Sequence, residues 1–207
     1  MTGTPSPLRP TVTLWVMLAA FGLLLASLVV GALRRPVPAA QDVTAPNPAP
    51  VGDTLVGPAT YTVDATDELR WTFLDFSRNA VVADPGPLDW DLAFRRFEII
   101  ANGGTGFAGQ GGVADLGPVP FDSVREAPAS GYQGTARDST NPGVGKWYRY
   151  GYSSHLLDPK GDTYAVRTAD GRYAKFGIVG YYCGEVRSGC FTIRYAYQGD
   201  GSRRLSR

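Results

Sequence analysis

The stretch from Asp89 to Gly104, DWDLAFRRFEIIANGG, decides the fold of the globular part of this chain. Within it, large apolar side chains alternate with smaller or charged ones: Trp90, Leu92 and Phe94 against Asp91, Ala93 and Arg95. A period of two is typical of a strand with one buried face. The apolar run continues to Ile100, and Asn-Gly-Gly then ends it, because these residues tolerate a positive φ. The stretch therefore predicts the central strand of an all-β domain.

The composition agrees with a β-rich domain and argues against a charged partner. The 207 residues include 26 glycines, 16 prolines and 12% aromatic side chains, which favour short strands joined by tight turns. The 20 basic and 19 acidic side chains nearly cancel and leave a net charge of +1. Such a chain has no field that would steer nucleic acid towards it, so we expect no nucleic-acid partner.

Further strands are predicted on both sides of the opening stretch. Runs with strong β propensity lie at residues 69–76, 80–83, 147–152, 163–168, 173–183 and 190–198. Asp170 and Gly171, between two of these runs, are a hairpin signal. Residues 103–145, in contrast, are rich in glycine and proline and show little periodicity. We expect loops with short strands there, and long loops are often functional.

Residues 12–33, VTLWVMLAAFGLLLASLVVGAL, are a segment of a different kind. They carry no charge, and a helix of this length covers the roughly 30 Å hydrocarbon core of a bilayer. A cleavable signal peptide is the alternative, but its apolar region spans only about 7–15 residues, and the residues that follow here are a poor cleavage site. No cysteine follows the run, as a lipoprotein signal would require. We therefore predict a retained single-pass transmembrane helix.

This helix and the prolines after it divide the chain into five parts. We predict an N-terminal tail at 1–11, the transmembrane helix at 12–33, a proline-rich linker at 34–59, the β domain at 60–198 and a basic C-terminal tail at 199–207. Six prolines fall within the linker, so it cannot pack a core of its own and favours polyproline II. We expect it to act as a stalk, or as a strap that lies along a partner.

The two cysteines, Cys183 and Cys190, flank a short loop between two strongly β segments. Pairing of those strands would bring the two sulfurs within reach of each other. A metal site would need two further ligands nearby, and a redox pair usually has the spacing C-x-x-C. We predict a structural disulfide, which persists in oxidising compartments and therefore indicates a domain outside the cytoplasm. The charges on either side of the helix are balanced and do not decide its orientation.

Few residue patterns suggest chemistry. Residues 104–109 spell G-x-G-x-x-G, but the glycines that follow cannot begin the helix that a dinucleotide site needs. His155 is the only histidine, with a serine and an aspartate close to it in the sequence. Sequence neighbours on a strand point to opposite faces, so these residues do not predict a catalytic triad. His155 is either a hydrogen-bonded turn residue or a haem or metal ligand. We predict that the protein is not an enzyme and has no catalytic residue.

Three blocks of the sequence together resemble the HmuY family of extracytoplasmic haem-binding proteins. They are WTFLDFS at 71–77, WDLAFRR at 90–96 with the NGG that closes that stretch, and a carboxyl-terminal run that contains YAVRT, DGRYAKF, YY and FTIRYAYQ between residues 164 and 198. The resemblance covers about residues 60–198. It implies an all-β, HmuY-like domain of a kind that is usually lipid-anchored at a bacterial surface.

The resemblance also implies a haem site whose ligands this chain lacks. Family members that carry haem hold the iron between two histidines or, in some relatives, between two methionines. This chain has one histidine, and its methionines, Met1 and Met17, precede the predicted helix or lie inside it. No iron ligand of the family is therefore carried over, and we expect no cofactor, with haem as the alternative.

Two functional hypotheses follow. The first is a non-catalytic accessory subunit of a larger membrane complex, respiratory or photosynthetic, in the bacterial inner membrane with the β domain in the periplasm. Its partners would be the membrane and other protein subunits, and four helix residues would pack against neighbouring helices: Trp15, Phe21, Gly22 and Gly31. The alternative is a haem-binding or haem-relay protein, whose candidate ligands lie close together in the sequence: Tyr148, Tyr150, Tyr152 and His155.

Overall fold

The computed structural model describes residues 11–34, 37–48, 52–136 and 139–207. The chain divides into two compact units. One contains the N-terminal helix and the short segment Gly151–Leu156, and the other contains Pro38–Tyr150 and Leu157–Arg207. The helix and the β-rich unit are described separately below.

Helix α1 spans Val12–Leu33 and matches the predicted apolar segment. It is long and apolar enough to cross a membrane, a test that a signal sequence near the N-terminus also passes. The hydroxyl of Ser27 donates to the carbonyl of Leu24 at 2.7 Å, so this polar group is satisfied within the helix. None of the helix residues is buried. Packing against neighbouring helices stays a prediction for the four residues named above: Trp15, Phe21, Gly22 and Gly31.

The described residues of the second unit form antiparallel strands. In chain order they are β1 (Leu55–Asp64), β2 (Thr72–Asp75), β3 (Ala80–Val82), β4 (Leu92–Arg95), β5 (Glu98–Ala101), β6 (Gly112–Asp115), β7 (Tyr148–Tyr150), β8 (Leu157–Pro159), β9 (Thr163–Arg167), β10 (Tyr173–Tyr182) and β11 (Ser188–Gln198). Sheet A has the order β1-β11-β10-β9-β6 and sheet B the order β3-β2-β4-β5, while β7 and β8 form a hairpin. The predicted fold class, an all-β domain after an apolar helix, is confirmed.

The core lies between sheets A and B and is dominated by aromatic rings. Phe94 of β4 packs against Phe191 of β11 with ring centroids 5.0 Å apart, and Phe76, just after β2, packs against Tyr195 of β11 at 5.6 Å. Trp147, just before β7, also contacts Phe191 at 5.0 Å. Aromatic side chains bury large apolar areas, so these contacts supply much of the free energy that holds the sheets together.

The opening stretch forms a hairpin, and the prediction of one continuous central strand there was wrong. Strands β4 and β5 pair with each other through Leu92↔Ala101 to Arg95↔Glu98, and the turn lies at Arg96, whose φ is +52°. Phe97, in the same turn, is 48% exposed. No glycine, proline or asparagine marks this turn. The sequence therefore gives no signal that the strand ends there. Strand β4 itself is central in sheet B, as predicted.

The carboxylate of Asp91 joins the two sheets. It is buried, and it accepts the backbone N–H of Phe76 on one oxygen and that of Ala169 on the other, both at 2.9 Å. Phe76 follows a strand of sheet B, and Ala169 lies in the turn between β9 and β10 of sheet A. Burial, and then the neighbouring carboxylate of Asp75, raise the pKa of Asp91 from 3.8 to about 7.

The linker was predicted to be a stalk or a strap along a partner, and residues 38–48 of it lie along the β domain of this chain. We call residues 38–48 the strap. The N–H of Gln41 donates to the carbonyl of Tyr182 at the end of β10, and Thr44 exchanges two hydrogen bonds with Thr62 on the outer edge of β1, at 2.9 and 3.0 Å. Strand β1 begins at Leu55, inside the predicted linker. The non-proline residues of the segment supply the backbone donors that its prolines lack.

The C-terminal residues also belong to the domain, contrary to the prediction of a separate basic tail at 199–207. Leu205 is buried, and its N–H donates to the carbonyl of Arg125 at 2.8 Å. Nearby, the N–H of Ala127 donates to the carbonyl of Arg203 at 2.7 Å. The apolar side chain of Leu205 and these backbone bonds hold the segment in place, which a count of its basic residues did not indicate.

A disulfide joins Cys183 and Cys190, as predicted, with the Cα atoms 5.2 Å apart. It closes a loop of seven residue steps, so we expect that Cys183→Ser combined with Cys190→Ser lowers the free energy of unfolding by about 2.5 kcal/mol. Denaturant unfolding of detergent-solubilised protein measures this loss. In unreduced, denatured wild type, a maleimide should label neither cysteine. Labelling of both thiols would contradict the disulfide.

The buried carboxylate leads to a prediction about pH. Because the pKa of Asp91 is higher in the folded chain than in the unfolded one, the folded chain binds more protons between those values. The contribution of Asp91 to the free energy of unfolding should therefore be greatest below about pH 4 and fall as the pH rises towards about 7. We expect Asp91→Asn to remove this dependence, measured by urea unfolding from pH 4 to 8. The exposed control Asp158→Asn should keep the wild-type slope, and an unchanged slope in Asp91→Asn would refute the assignment.

Candidate functional site

A cavity of about 430 Å³ lies on the face of sheet B that points away from sheet A. Phe94 packs against sheet A, so its neighbours in β4, Ala93 and Arg95, point to the opposite face. The register places Phe73 and Ile100 beside Ala93 on that face, and Glu98 beside Arg95. The floor of the cavity therefore follows directly from the strand pairing of β2, β4 and β5.

Aromatic rings form the walls of the cavity. Trp90 is 8% exposed and meets Phe73 edge to face, with ring centroids 5.1 Å apart and an interplanar angle of 67°. On its other side it meets Phe107 at 5.8 Å and 75°. Trp71 also packs against this cluster. Edge-to-face pairs of this kind are worth about 0.5–1.5 kcal/mol beyond the area that they bury, so the walls are firmly held.

A glycine-rich loop after β5 carries Phe107 to the cavity. A Cβ atom at Gly103 would overlap the backbone of Gly111, and one at Gly104 would overlap the carbonyl of Thr135. Gly104 also has a φ of +101°, which favours glycine. The glycines of the G-x-G-x-x-G match therefore allow a tight turn and close backbone contacts, and no helix follows them. The interpretation of this match as a chance one agrees with the structure.

Asn102, at the start of that loop, ties the aromatic wall to the fold. Its side-chain amide donates to the carbonyls of Pro87 and Trp90, both at 2.9 Å, and its side-chain oxygen accepts the N–H of Gly109 at 3.2 Å. The side chain is buried, so these bonds satisfy groups that water cannot reach. Asn102 thereby fixes the backbone that presents Trp90 and the loop that presents Phe107.

One ion pair lines the cavity. Nε and Nη2 of Arg95 donate to the same carboxylate oxygen of Glu98, at 3.0 and 2.7 Å. The guanidinium of Arg95 also lies over the ring of Trp71, 4.4 Å from its centroid. Both side chains of the pair are about one-third exposed, 31% for Arg95 and 30% for Glu98. The cavity therefore combines apolar walls with a positioned cation at its margin.

The four candidate haem ligands lie on the β7–β8 hairpin. Tyr148 is on β7 and packs edge to face against Trp147 at 5.0 Å and Phe97 at 6.3 Å. Tyr150 is 43% exposed and Tyr152, beyond the end of the strand, is 84% exposed. The side chain of His155 is exposed, and its backbone φ is +57°. The backbone N–H of His155 donates to the carbonyl of Gly151 at 2.7 Å. None of the four lines the cavity. Their role as haem ligands stays a prediction.

Sequence reasoning missed the cavity altogether. Its aromatic residues were assigned to strands or loops one at a time, and nothing in the sequence places Phe107 against Trp90. A partial signal existed, because Phe73 of β2 and Trp71 just before it are large apolar residues two positions apart, while Leu74 lies on the opposite face of the strand. A strand with large apolar residues on both faces needs cover on both faces, which implies a second cluster outside the core.

Comparison with known proteins identifies the fold and the family. A family model described as HmuY protein matches residues 67–195. The solved structures that match include an HmuY-like haem-binding protein of Bacteroides vulgatus, with 25% identity, 66% of this chain and 89% of that chain covered, and a TM-score of 0.53. A protein described as a lipoprotein of Bacteroides fragilis matches with 19% identity, coverage of 72% and 91%, and a TM-score of 0.53. The apo HmuY analogue of Tannerella forsythia matches with 17% identity, coverage of 76% and 99%, and a TM-score of 0.52. No protein with curated function matches this chain.

These findings bear on the two functional hypotheses. They give no support to an accessory subunit of a respiratory or photosynthetic complex, and the haem-binding alternative is closer to them. The apolar helix is long enough to cross a membrane, which is compatible with a membrane or extracytoplasmic location. A signal peptide and a retained helix are both compatible with that location.

Haem is the group that this family implies, and the cavity fits only part of it. The aromatic walls suit a flat apolar ring. Histidine, methionine, cysteine and tyrosine are the usual axial ligands of haem iron, and none of them is among the described residues of the lining. Both cysteines are in the disulfide, Met17 lies in α1, and Met1 is outside the described residues. The aromatic walls therefore suit a flat apolar ring, and the described lining does not fit haem iron.

The hydrogen bonds of Asn102 lead to a prediction about the wall of the cavity. Asn102→Ala removes three hydrogen bonds of a buried side chain and leaves the carbonyl of the buried residue Trp90 without its partner, so we expect the free energy of unfolding to fall by about 2 kcal/mol. Urea unfolding followed by tryptophan fluorescence measures the loss. The exposed control Asn47→Ala should stay within about 0.5 kcal/mol of wild type. A similarly small effect at Asn102 would argue against its structural role.

Proposed function

The chain belongs to the HmuY family, and on that premise we propose that it is a non-catalytic, extracytoplasmic binding protein that holds a planar tetrapyrrole of the haem type. The observation that carries this proposal is the aromatic cavity on the outer face of sheet B. The haem-binding description of the Bacteroides vulgatus relative supports it.

The size and chemistry of the cavity support a ligand with large flat apolar faces. Small-molecule sites usually have volumes of about 300–1,000 Å³, with mostly apolar linings and a few positioned polar groups. The cavity volume of about 430 Å³ lies in that range. Phe107 is only partly buried, so its ring remains available to a ligand, while Trp90 behind it is held by the fold.

The polar part of the lining supports binding rather than catalysis. Thr105 and Ser139 bring hydroxyl groups to the cavity. A hydroxyl becomes a nucleophile when an adjacent base activates it, usually an imidazole. The described lining contains no histidine, and its carboxylate, Glu98, is already paired with Arg95. Binding without chemical change is therefore the function proposed.

The proposed location is the bacterial inner membrane, with α1 as a retained anchor and the β domain in the periplasm. The length and apolar character of α1 support an anchor, and the disulfide between Cys183 and Cys190 supports an oxidising compartment. The proposed partners are the membrane itself and, through the exposed helix residues Trp15 and Phe21, further membrane-spanning subunits.

Titration with hemin and with protoporphyrin IX tests the ligand class. We expect both to quench the tryptophan fluorescence of detergent-solubilised protein, because three of the four tryptophans belong to the domain and two of them line the cavity. Phe107→Ala should weaken binding about ten- to a hundredfold, since it removes one aromatic wall.

Variants of the hairpin provide the matched control for that experiment. Tyr152→Ala and His155→Ala alter exposed side chains that do not line the cavity, so we expect both to bind as wild type does. Binding that is lost in His155→Ala and kept in Phe107→Ala would move the site to the hairpin. Absence of any binding would refute the proposed function.

A further inference from the structure

We propose that the cavity holds its ligand by a carboxylate bound to Arg95, with no bond from the protein to a metal, so that metal-free and iron-bearing tetrapyrrole carboxylates bind with equal affinity. This inference rests on the proposed function and specifies the chemistry of the same site. The lining already described has an aromatic surface for the ring and a guanidinium for an anion, but no axial ligand for iron.

The guanidinium of Arg95 has one edge occupied and one edge available for a second carboxylate. Glu98 accepts from Nε and Nη2 with a single oxygen, which uses the side edge of the group. The end edge, formed by Nη1 and the second hydrogen of Nη2, takes no part in this pair. A guanidinium has five N–H donors in a fixed plane and can bind two carboxylates on different edges. A ligand carboxylate therefore need not displace Glu98.

The orientation of the guanidinium is set before any ligand binds. The ring of Trp71 lies 4.4 Å from it on one side, and the register of β4 with β5 holds Glu98 directly opposite Arg95. Because the group is held in place by two contacts, little conformational freedom remains to be lost on binding. The side chain of Arg95 is about one-third exposed, so a charged ligand can reach it. Its partial burial would strengthen a charge-assisted hydrogen bond to that ligand.

The same geometry disfavours a ligand that carries a positive charge. An aromatic cluster can bind a cation over its ring faces, but here the face of Trp71 is already covered by Arg95. The carboxylate of Glu98 is neutralised by that same guanidinium. A cationic ligand would meet the remaining positive edge of Arg95, whereas an anionic ligand would gain charge-assisted hydrogen bonds there.

Tetrapyrroles such as protoporphyrin IX satisfy both parts of the site. They combine a flat apolar ring with two propionate carboxylates on one edge, so the ring can contact Phe107 and Trp90 while a propionate reaches Arg95 at the margin. The described lining offers no axial ligand to an iron at the centre of such a ring. Recognition would therefore depend on the carboxylate and the ring, and the metal would add nothing to affinity.

The test compares four probes on the full-length protein in one detergent: hemin, protoporphyrin IX, and the dimethyl ester of each. We expect hemin and protoporphyrin IX to have dissociation constants within threefold of each other, and each ester to bind at least tenfold more weakly. Arg95→Gln should abolish the difference between acid and ester, because it removes the group that distinguishes them. Partition into detergent differs between acid and ester but is the same for every variant, so the ratio of one probe's dissociation constants between wild type and Arg95→Gln is free of it. Each acid–ester comparison is corrected by the partition coefficient of each probe, measured in the same detergent without protein.

Two further variants separate binding from folding. Glu98→Gln leaves Arg95 in place and removes its neutralising partner, so the preference for the acid over the ester should persist or increase. Arg149→Gln, at an exposed position on β7, should match wild type with all four probes. Thermal unfolding of each variant shows whether a loss of binding reflects a loss of the fold.

Each outcome decides a different point. Hemin that binds more than tenfold tighter than protoporphyrin IX would overturn metal-independent binding, and acid and ester that bind alike in wild type would overturn the role of Arg95. In both cases sensitivity to Phe107→Ala would leave the proposed function standing. Failure of all four probes to bind, or binding that ignores Phe107→Ala, would instead refute the proposed function itself.

Discussion

The buried carboxylate of Asp91 holds sheet B against the β9–β10 turn of sheet A, and the arrangement of the two sheets depends on these hydrogen bonds. Its oxygens bond to backbone N–H groups from both sheets, and its own backbone pairs with Leu74 on one side and Asn102 on the other, at 2.9 Å in each case. Burial of a carboxylate is costly, and a hydrogen bond to each oxygen offsets part of that cost, although burial still raises the pKa of the group. Strand β4 is thereby held in sheet B and against the β9–β10 turn at the same residue.

Two residues connect Asp91 to the cavity: its sequence neighbour Trp90 and its hydrogen-bond partner Asn102. Trp90 precedes Asp91 and is presented on the outer face, while Asn102, bonded to the backbone of Asp91, fixes the loop that returns Phe107 to the same place. A site on paired strands with hydrogen-bonded loops keeps its shape without a ligand. The paired strands therefore supply the floor of the cavity, and the hydrogen-bonded loops supply part of its walls.

The sequence predicted the strands better than it predicted their connections. Residues 163–168, 173–183 and 190–198 were recognised because their alternation is long and ends at clear turn signals. The turn at Arg96 and Phe97 was not predicted, because neither residue type is a turn signal. The cavity escaped for a different reason: its residues come from β2, β4, β5 and two loops, and only the register brings them together. Cysteine spacing and the length of the apolar helix are local properties, so those predictions needed no tertiary information.

The docked strap has a consequence for the handling of this protein. Strand β1 has β11 on one side and, on the other, the hydrogen bonds between Thr44 and Thr62. An uncovered edge strand is a template on which another chain can add a strand of its own. Proteolytic cleavage within residues 38–48 would therefore remove the hydrogen bonds that cover this edge of β1 as well as cut the connection to the helix. We expect such cleavage to leave β1 more open to pairing with a strand of another chain.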